Sequence, residues 1–284
     1  MLSEAKIGII GGSGLSGMSG IMDVEEIDVE TPFGSTSDRI TIGSLADTKV
    51  AFLPRHGRGH RFSPTDIPVR ANIFALKKIG VERILSVSAV GSLKEDVQPL
   101  DMVIPDQLID RTRSRISTFF EGSIVAHVSF SDPYCPVVSQ ELKRAVEGQS
   151  VTLHMGGTYV VMEGPQFSTR AESNLYRSWG ASVIGMTALP EAKLAREAQM
   201  CYATLALVTD YDCWHETEEE VSIDMVVANM RKNVVASEKI LKTVVSSIPN
   251  QRDCICSESL NNAIITDLDQ VPEETKQRLS VIMR

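Results

Sequence analysis

Short apolar runs, bounded by glycine, proline and charged residues, alternate with amphipathic segments along most of the chain. Residues 6–10, 83–90 and 205–210 are largely apolar stretches of strand length and predict buried strands. Further strands are expected at 24–30, 39–42 and 49–53, separated by Pro32-Phe33-Gly34 and Gly43-Ser44, and at 101–110, 158–162 and 181–186. Helices are expected at 68–79, 136–147, 169–179, 189–200 and 222–245, with a short one at 273–283. Pro68 suits a first helical turn, Ile73, Leu76 and Ile79 share one face, and Gly80 stops the helix. Thr169 and Glu172 form a capping-box pattern. In the long helix, Ile223, Val226, Val227, Met230, Val234, Ile240, Leu241, Val244 and Val245 mostly follow the helical period. Strands and helices alternate through 68–245, which predicts an α/β core with much of its sheet parallel. No linker, repeat or low-complexity stretch divides residues 1–284, so a single domain is expected.

Composition narrows the class of protein. Of 284 residues, 43% are hydrophobic, enough for a substantial core, and the formal net charge is -9. That charge argues against a nucleic-acid or anionic-membrane surface, so any bound anion needs local basic residues. No apolar run reaches membrane-spanning length, and the N-terminus lacks a signal-peptide pattern. A soluble cytoplasmic protein is expected. The cysteines at 135, 201, 213, 254 and 256 lack the paired spacing of a zinc motif, so no metal is expected. Most read as small buried hydrophobes, and Cys254-Ile255-Cys256 reads as either a redox or disulfide pair or two free thiols.

Several stretches carry candidate chemistry. The run Leu205–Asp210 ends in two carboxylates one residue apart, Asp210 and Asp212. In an extended chain they face one side, where they either line a pocket or sit solvated in a loop. Gly12, Gly14 and Gly17 match a dinucleotide-binding spacing, but Gly17 and Gly20 interrupt the helix that motif requires. The other reading is an anion loop using backbone N–H groups and the Ser13 hydroxyl. Residues 55–61 gather Arg55, His56, Arg58, His60 and Arg61 between glycines, a local positive patch in an acidic chain. The strand at 83–90 ends at Gly91-Ser92, where small polar groups can meet an oxyanion. Residues 111–131 read as a long polar loop with Arg111, Arg113, Arg115 and His127.

Taken in order, these motifs resemble the trimeric purine nucleoside phosphorylase and methylthioadenosine phosphorylase family. The resemblance rests on Gly8-Ile9-Ile10-Gly11-Gly12-Ser13-Gly14, Pro54-Arg55-His56-Gly57-Arg58, Ser88-Ala89-Val90-Gly91-Ser92-Leu93, Glu163-Gly164-Pro165-Gln166-Phe167-Ser168, Gly185-Met186-Thr187 and Thr209-Asp210-Tyr211-Asp212-Cys213-Trp214. It implies an α/β phosphorylase fold, with a mixed central sheet and a smaller barrel-like sheet flanked by helices. It implies phosphorolysis of S-methyl-5'-thioadenosine in purine and methionine salvage, with inorganic phosphate as co-substrate and no cofactor or metal. By resemblance, phosphate meets Ser13, Arg55, His56, Ser88, Ala89 and Thr187. The ribose meets Met186, and the base meets Phe167, Ser168, Asp210 and Asp212, with Asp210 the acid and Asp212 its support. The methylthio group meets Val221, Ile223 and Val226. His127 comes from a neighbouring subunit of a homotrimer or a hexamer built as a dimer of trimers. Residues 250–284 depart from the animal pattern, and the Cys254 and Cys256 pair resembles archaeal relatives with broader purine use. A broader purine nucleoside or 5'-methylthioinosine phosphorylase is therefore the nearer alternative, and an NAD-binding oxidoreductase the distant one.

Overall fold

The structure is a computed structural model, and it describes residues 4–12, 15, 18–215 and 223–284, with the side chains of residues 223 and 225 excepted. Its centre is formed by four parallel strands: β1 (Ile7–Gly11), β4 (Thr48–Pro54), β5 (Arg83–Ser92) and β11 (Cys201–Asp210). Each is largely apolar and mostly buried, because both faces are covered. Along β11, Ala206 and Val208 enter one hydrophobic cluster while Leu205 and Leu207 enter the other. The first cluster includes Ile73 and Leu76 of α1 (Val69–Lys78) and Ala192 and Ala195 of α4 (Ala188–Glu197). The second includes Leu142 of α2 (Pro136–Val146) and Ile240, Leu241 and Val244 of α5 (Ile223–Ser247). The alternation of strand side chains thus sorts the core into two layers.

The sheet is mixed and forks at β5. On one side β4 continues antiparallel through β3 (Ile40–Leu45) to the exposed β2 (Met22–Ile27). The end of β5 pairs antiparallel with β10 (Val183–Gly185), which runs parallel to β9 (Thr158–Met162) and, through it, β7 (Gln107–Arg111). β11 pairs with β6 (Met102–Ile104), which pairs with β8 (Leu153–Met155). All eleven described strands therefore belong to one continuous sheet.

Two elements differ from expectation for identifiable reasons. The strand expected at 101–110 is broken into β6 and β7. Pro105 between them has no N–H to donate, and the two halves serve different neighbours, β11 and β9. The helix expected to begin at Leu189 contains an extended residue there (φ -117°, ψ 137°), just before Pro190. A residue preceding proline is driven away from helical geometry. After β1 the next element among the described residues is β2, and no crossover helix of a dinucleotide fold lies between them among those residues.

Helix α3 (Arg170–Ser178) begins at the expected capping box: Glu172 N–H donates to Thr169 Oγ1 (3.2 Å) and Thr169 N–H to Glu172 Oε2 (2.8 Å). It fixes the entry of the loop that carries Phe167 and Ser168. Thr169→Ala is expected to lower folding stability by about 1 kcal/mol, read as a lower urea midpoint with an unchanged m-value.

Candidate active site

The carboxyl ends of β1, β4 and β11 and the loops after β9 and β10 meet over β5 and enclose a cavity of about 270 Å³. Ligands of open α/β sheets sit at such an edge. Beneath one end lies a buried ion pair. Arg55, the residue after β4, is 1% exposed, and its Nε donates to Glu191 Oε1 on α4 at 2.5 Å. Its Nη2 donates to Glu191 Oε2 (3.1 Å) and to Ser86 Oγ (2.7 Å), and its Nη1 to the Val87 carbonyl (2.8 Å). Tyr202 of β11 donates to the same carboxylate at 3.0 Å. Burial works against the Arg55 charge, yet Glu191 outweighs it and holds the guanidinium pKa above its ordinary value. Four of the five guanidinium hydrogens are committed. Among the described residues the fifth, on Nη1, has no partner, and a Cβ on Gly12 would lie 2.8 Å from that nitrogen. Glycine there keeps the donor open to the cavity.

Around this donor stand small polar groups. Ser88 Oγ and Thr187 Oγ1 are 3.3 Å apart, and Ala89 lines the same wall. Thr187 precedes α4 without capping it by its side chain, which leaves the hydroxyl available to the cavity. His56 Nδ1 lies 2.9 Å from the Phe62 carbonyl oxygen. A carbonyl only accepts, so Nδ1 carries a proton and Nε2 is free in the neutral ring. Burial pushes the His56 pKa down to about 4 and the Arg55 charge adds to this, against the Phe62 hydrogen bond, so the ring is neutral at pH 7. His60 stacks on it with ring centres 4.0 Å apart.

At the other end of the cavity lie Asp210 and Asp212, buried at 6% and 8% exposure. They are not brought together by strand alternation. β11 bulges between Val208 and Asp210, then turns sharply with Asp212 at φ +52°. Asp212 N–H donates to Asp210 Oδ1 (2.8 Å) and Thr209 Oγ1 to Asp210 Oδ2 (2.7 Å). The bulge is held from α5: Asn229 donates to the Thr209 carbonyl (2.8 Å) and Asn233 to that of Val208 (2.9 Å). Gly91 makes room, since a Cβ there would lie 2.9 Å from Asp210 Oδ1 and 3.3 Å from Asp212 Cβ. Burial raises the Asp210 pKa to about 6, with the Asp212 charge adding to it against the two hydrogen bonds. Burial also raises that of Asp212, whose Oδ2 has no hydrogen-bond partner among the described residues.

Phe167, Met186 and Val226 line the space between these two ends, and Phe167 is half-exposed at its mouth. Ser168 is not among the residues lining the cavity; its hydroxyl donates to Met162 Sδ at 3.5 Å. His127 is exposed and stands outside the cavity of its own chain, with its N–H bonded to the Ala263 carbonyl. Ser13, Val221 and the Ile223 side chain lie outside the described residues. Sequence reasoning missed Glu191, Met230, Asn229, Asn233 and the role of Arg115. That arginine donates from Nη1 to the Met186 and Leu189 carbonyls and from Nη2 to those of Met162 and Glu163, so it fastens the 111–131 loop to two walls of the cavity. Burial raises the Glu163 carboxyl, but hydrogen bonds from Thr65, Arg113, Ser114 and Arg115 outweigh it and hold its pKa at about 2.

This arrangement, an anion-ready end and an acid-bearing end in one cleft, has relatives. Residues 6–246 match the model of the phosphorylase superfamily, and the chain belongs to that family. It is 56% identical to the S-methyl-5'-thioadenosine phosphorylase of Koribacter versatilis, with 99% of this chain and 96% of the relative covered. The enzyme of the same name from Geobacter sulfurreducens is 54% identical over 99% and 98%. Among solved structures, a methylthioadenosine phosphorylase sourced from an Antarctic soil metagenomic library superposes with a TM-score of 0.94 at 50% identity, covering 99% of this chain and 100% of that one. The Schistosoma mansoni methylthioadenosine phosphorylase in complex with adenine gives 0.84 at 34% identity, covering 99% and 98%.

Removing one partner of the Arg55–Glu191 pair strands a buried charge. Glu191→Ala is expected to cost about 3–5 kcal/mol of stability, measured by denaturant unfolding. The same substitution at the exposed Glu273 should change little.

Proposed function

We propose that the protein catalyses the phosphorolysis of S-methyl-5'-thioadenosine to adenine and 5-methylthioribose 1-phosphate. The observation that carries this reading is the pairing, within one cavity, of an open Arg55 donor among hydroxyls with a buried carboxyl of raised pKa. Phosphate is held by Arg55, His56, Ser88, the Ala89 N–H and Thr187, with Ser13 completing the loop. Its oxygen attacks C1' as the C1'–N9 bond breaks, and the bond electrons pass into the purine. Asp210, in its protonated form, delivers a proton to N7 of the leaving base. Asp212 supports Asp210 and offers an acceptor to the N6 amino group. Phe167 and Ser168 hold the base, Met186 the ribose, and Val226 with Ile223 the methylthio group. Inorganic phosphate is the co-substrate, and no cofactor enters the reaction.

Two acids facing the purine edge favour a 6-amino over a 6-oxo base. A site built for one donor–acceptor pattern rejects the other by factors of about 10⁴ or more. Supporting features also bear on assembly. His127 sits exposed on a loop with exposed Ile116 and Val125, so we read it as reaching the site of a neighbouring copy in a trimer or dimer of trimers. No helix among the described residues is long and apolar enough to cross a membrane, which accords with a cytoplasmic salvage enzyme.

Adenine release from S-methyl-5'-thioadenosine is expected only with phosphate present, with adenosine slower and inosine slower still. Release without phosphate would indicate a hydrolase, and turnover of inosine at the same rate would overturn the adenine preference.

Because the protonated form of Asp210 is the active one, kcat/KM should fall as pH rises through about 6, the free-enzyme value. The limb for kcat should lie higher, since a bound purine excludes water from the carboxyl. Asp210→Asn should lower adenine release by about 10²–10⁴-fold, abolish that limb and shift preference toward 6-oxopurines. A kcat/KM that rises through the same pH range would make Asp210 a base instead.

A further inference from the structure

Four of the five cysteines converge on the far side of the molecule from this cavity. Cys135 precedes α2, Cys201 is the first residue of β11, and Cys254 and Cys256 flank Ile255 in a 3-10 turn after α5. Their four sulfurs all lie within 4.8 Å of one another, with Cys201 and Cys254 at 3.4 Å. None is bridged; Cys135, Cys201 and Cys256 are buried and Cys254 is half-buried. Thiols that merely fill a core have no reason to aim four sulfurs at one point. A tetrahedral tetrathiolate site with metal–sulfur bonds of about 2.3 Å has sulfurs about 3.8 Å apart. With its sulfurs no more than 4.8 Å apart, the cluster is close to that dimension. Its spacing along the chain conceals it, because three separate segments supply the ligands.

We propose that Cys135, Cys201, Cys254 and Cys256 bind one zinc ion as a structural site. The soft donors and closed four-ligand set suit zinc better than a hard cation. Binding replaces four S–H bonds by four Zn–S bonds, releases four protons and leaves a complex of net charge -2. Surrounding contacts place the ligands in advance. Arg83 donates to the Pro249 and Asn250 carbonyls (2.6 and 2.9 Å), and Arg252 to the Gln199 carbonyl (2.8 Å). These fix the segment leading into Cys254 against the start of β11. The ion staples the C-terminal segment, α2 and the sheet together. Cys201 and Asp210 stand at opposite ends of β11, roughly 30 Å apart at strand rise, so the metal acts on stability and not on the reaction.

The test is metal analysis of protein purified under reducing conditions. About one zinc per chain is expected. Cobalt(II) taken up by the metal-stripped protein should show the thiolate charge-transfer and strong visible bands of a tetrahedral sulfur site. Stripping should lower the melting temperature, and added zinc should restore it. Cys256→Ser should lose the metal, whereas Cys213→Ser, outside the cluster, should keep it. If Cys256→Ser does not fold, the cobalt spectrum of the unaltered chain decides. Reduced protein that contains no zinc and takes up neither zinc nor cobalt would overturn the proposal. So would native protein, thiol-blocked at lysis, in which peptide mapping finds these cysteines paired as disulfides.

Discussion

The buried ion pair between Arg55 and Glu191 is the interaction on which one end of the cavity depends. It ties the end of β4, the middle of β5, helix α4 and, through Tyr202, strand β11 into one hydrogen-bonded unit. An unpaired arginine at 1% exposure would be costly, and an unpaired glutamate equally so. Paired with each other and with Ser86, the Val87 carbonyl and Tyr202, they are almost fully hydrogen-bonded. The one guanidinium hydrogen left over faces the gap that Gly12 keeps open. A net-acidic protein can therefore keep a guanidinium donor at the cavity wall without a solvated basic patch. The cation is positioned by the core rather than by a loop, so in the proposed reaction it would need no reorganisation to meet phosphate.

At the opposite end of the cavity the physical problem is inverted. Two carboxyls are buried, and burial raises the pKa of both, Asp210 to about 6, so this end of the cavity retains a proton more readily than exposed aspartates do. The backbone builds this deliberately: a bulge in β11, a left-handed turn at Asp212 and a glycine opposite at position 91. Asn229 and Asn233 accept the cost of the bulge by bonding the carbonyls it displaces. The two ends divide the chemistry. In the proposed reaction one would hold the nucleophile and the other receive the base, and Phe167, Met186 and Val226 line the same cavity.

The strands β5, β9 and β11 and the helices α1, α2, α3 and α5 were legible because their signals are local: apolar runs, a Pro–Gly frame, a capping box. The break at Pro105 was legible in principle, since proline cannot donate within a ladder, but the partner switch behind it was not. Candidate residues at strand ends, such as Arg55, Ser88, Thr187 and Asp210, could be named from their motifs. What those motifs conceal is how the residues meet. Asp212 reaches Asp210 through a turn with positive φ, whereas strand alternation predicted the same meeting for a different reason. Glu191, Arg115, Asn229 and Met230 carry no local mark. Their roles come from partners 136, 71, 20 or more residues away, or from the face of a helix that happens to close the cavity. The cysteine cluster was hidden in the same way, because only the fold brings residues 135 and 201 to the C-terminal pair.

In the proposed reaction Asp210 holds a proton for the departing base. Its carboxyl carbon can be followed directly by NMR of the carbon-13-labelled enzyme across a pH titration, with Asp210→Asn identifying the resonance. The structure predicts an apparent midpoint near 6 for the free enzyme, moving upward when adenine occupies the cavity. A midpoint at the ordinary aspartate value of 3.8, unmoved or lowered by adenine, would contradict the account.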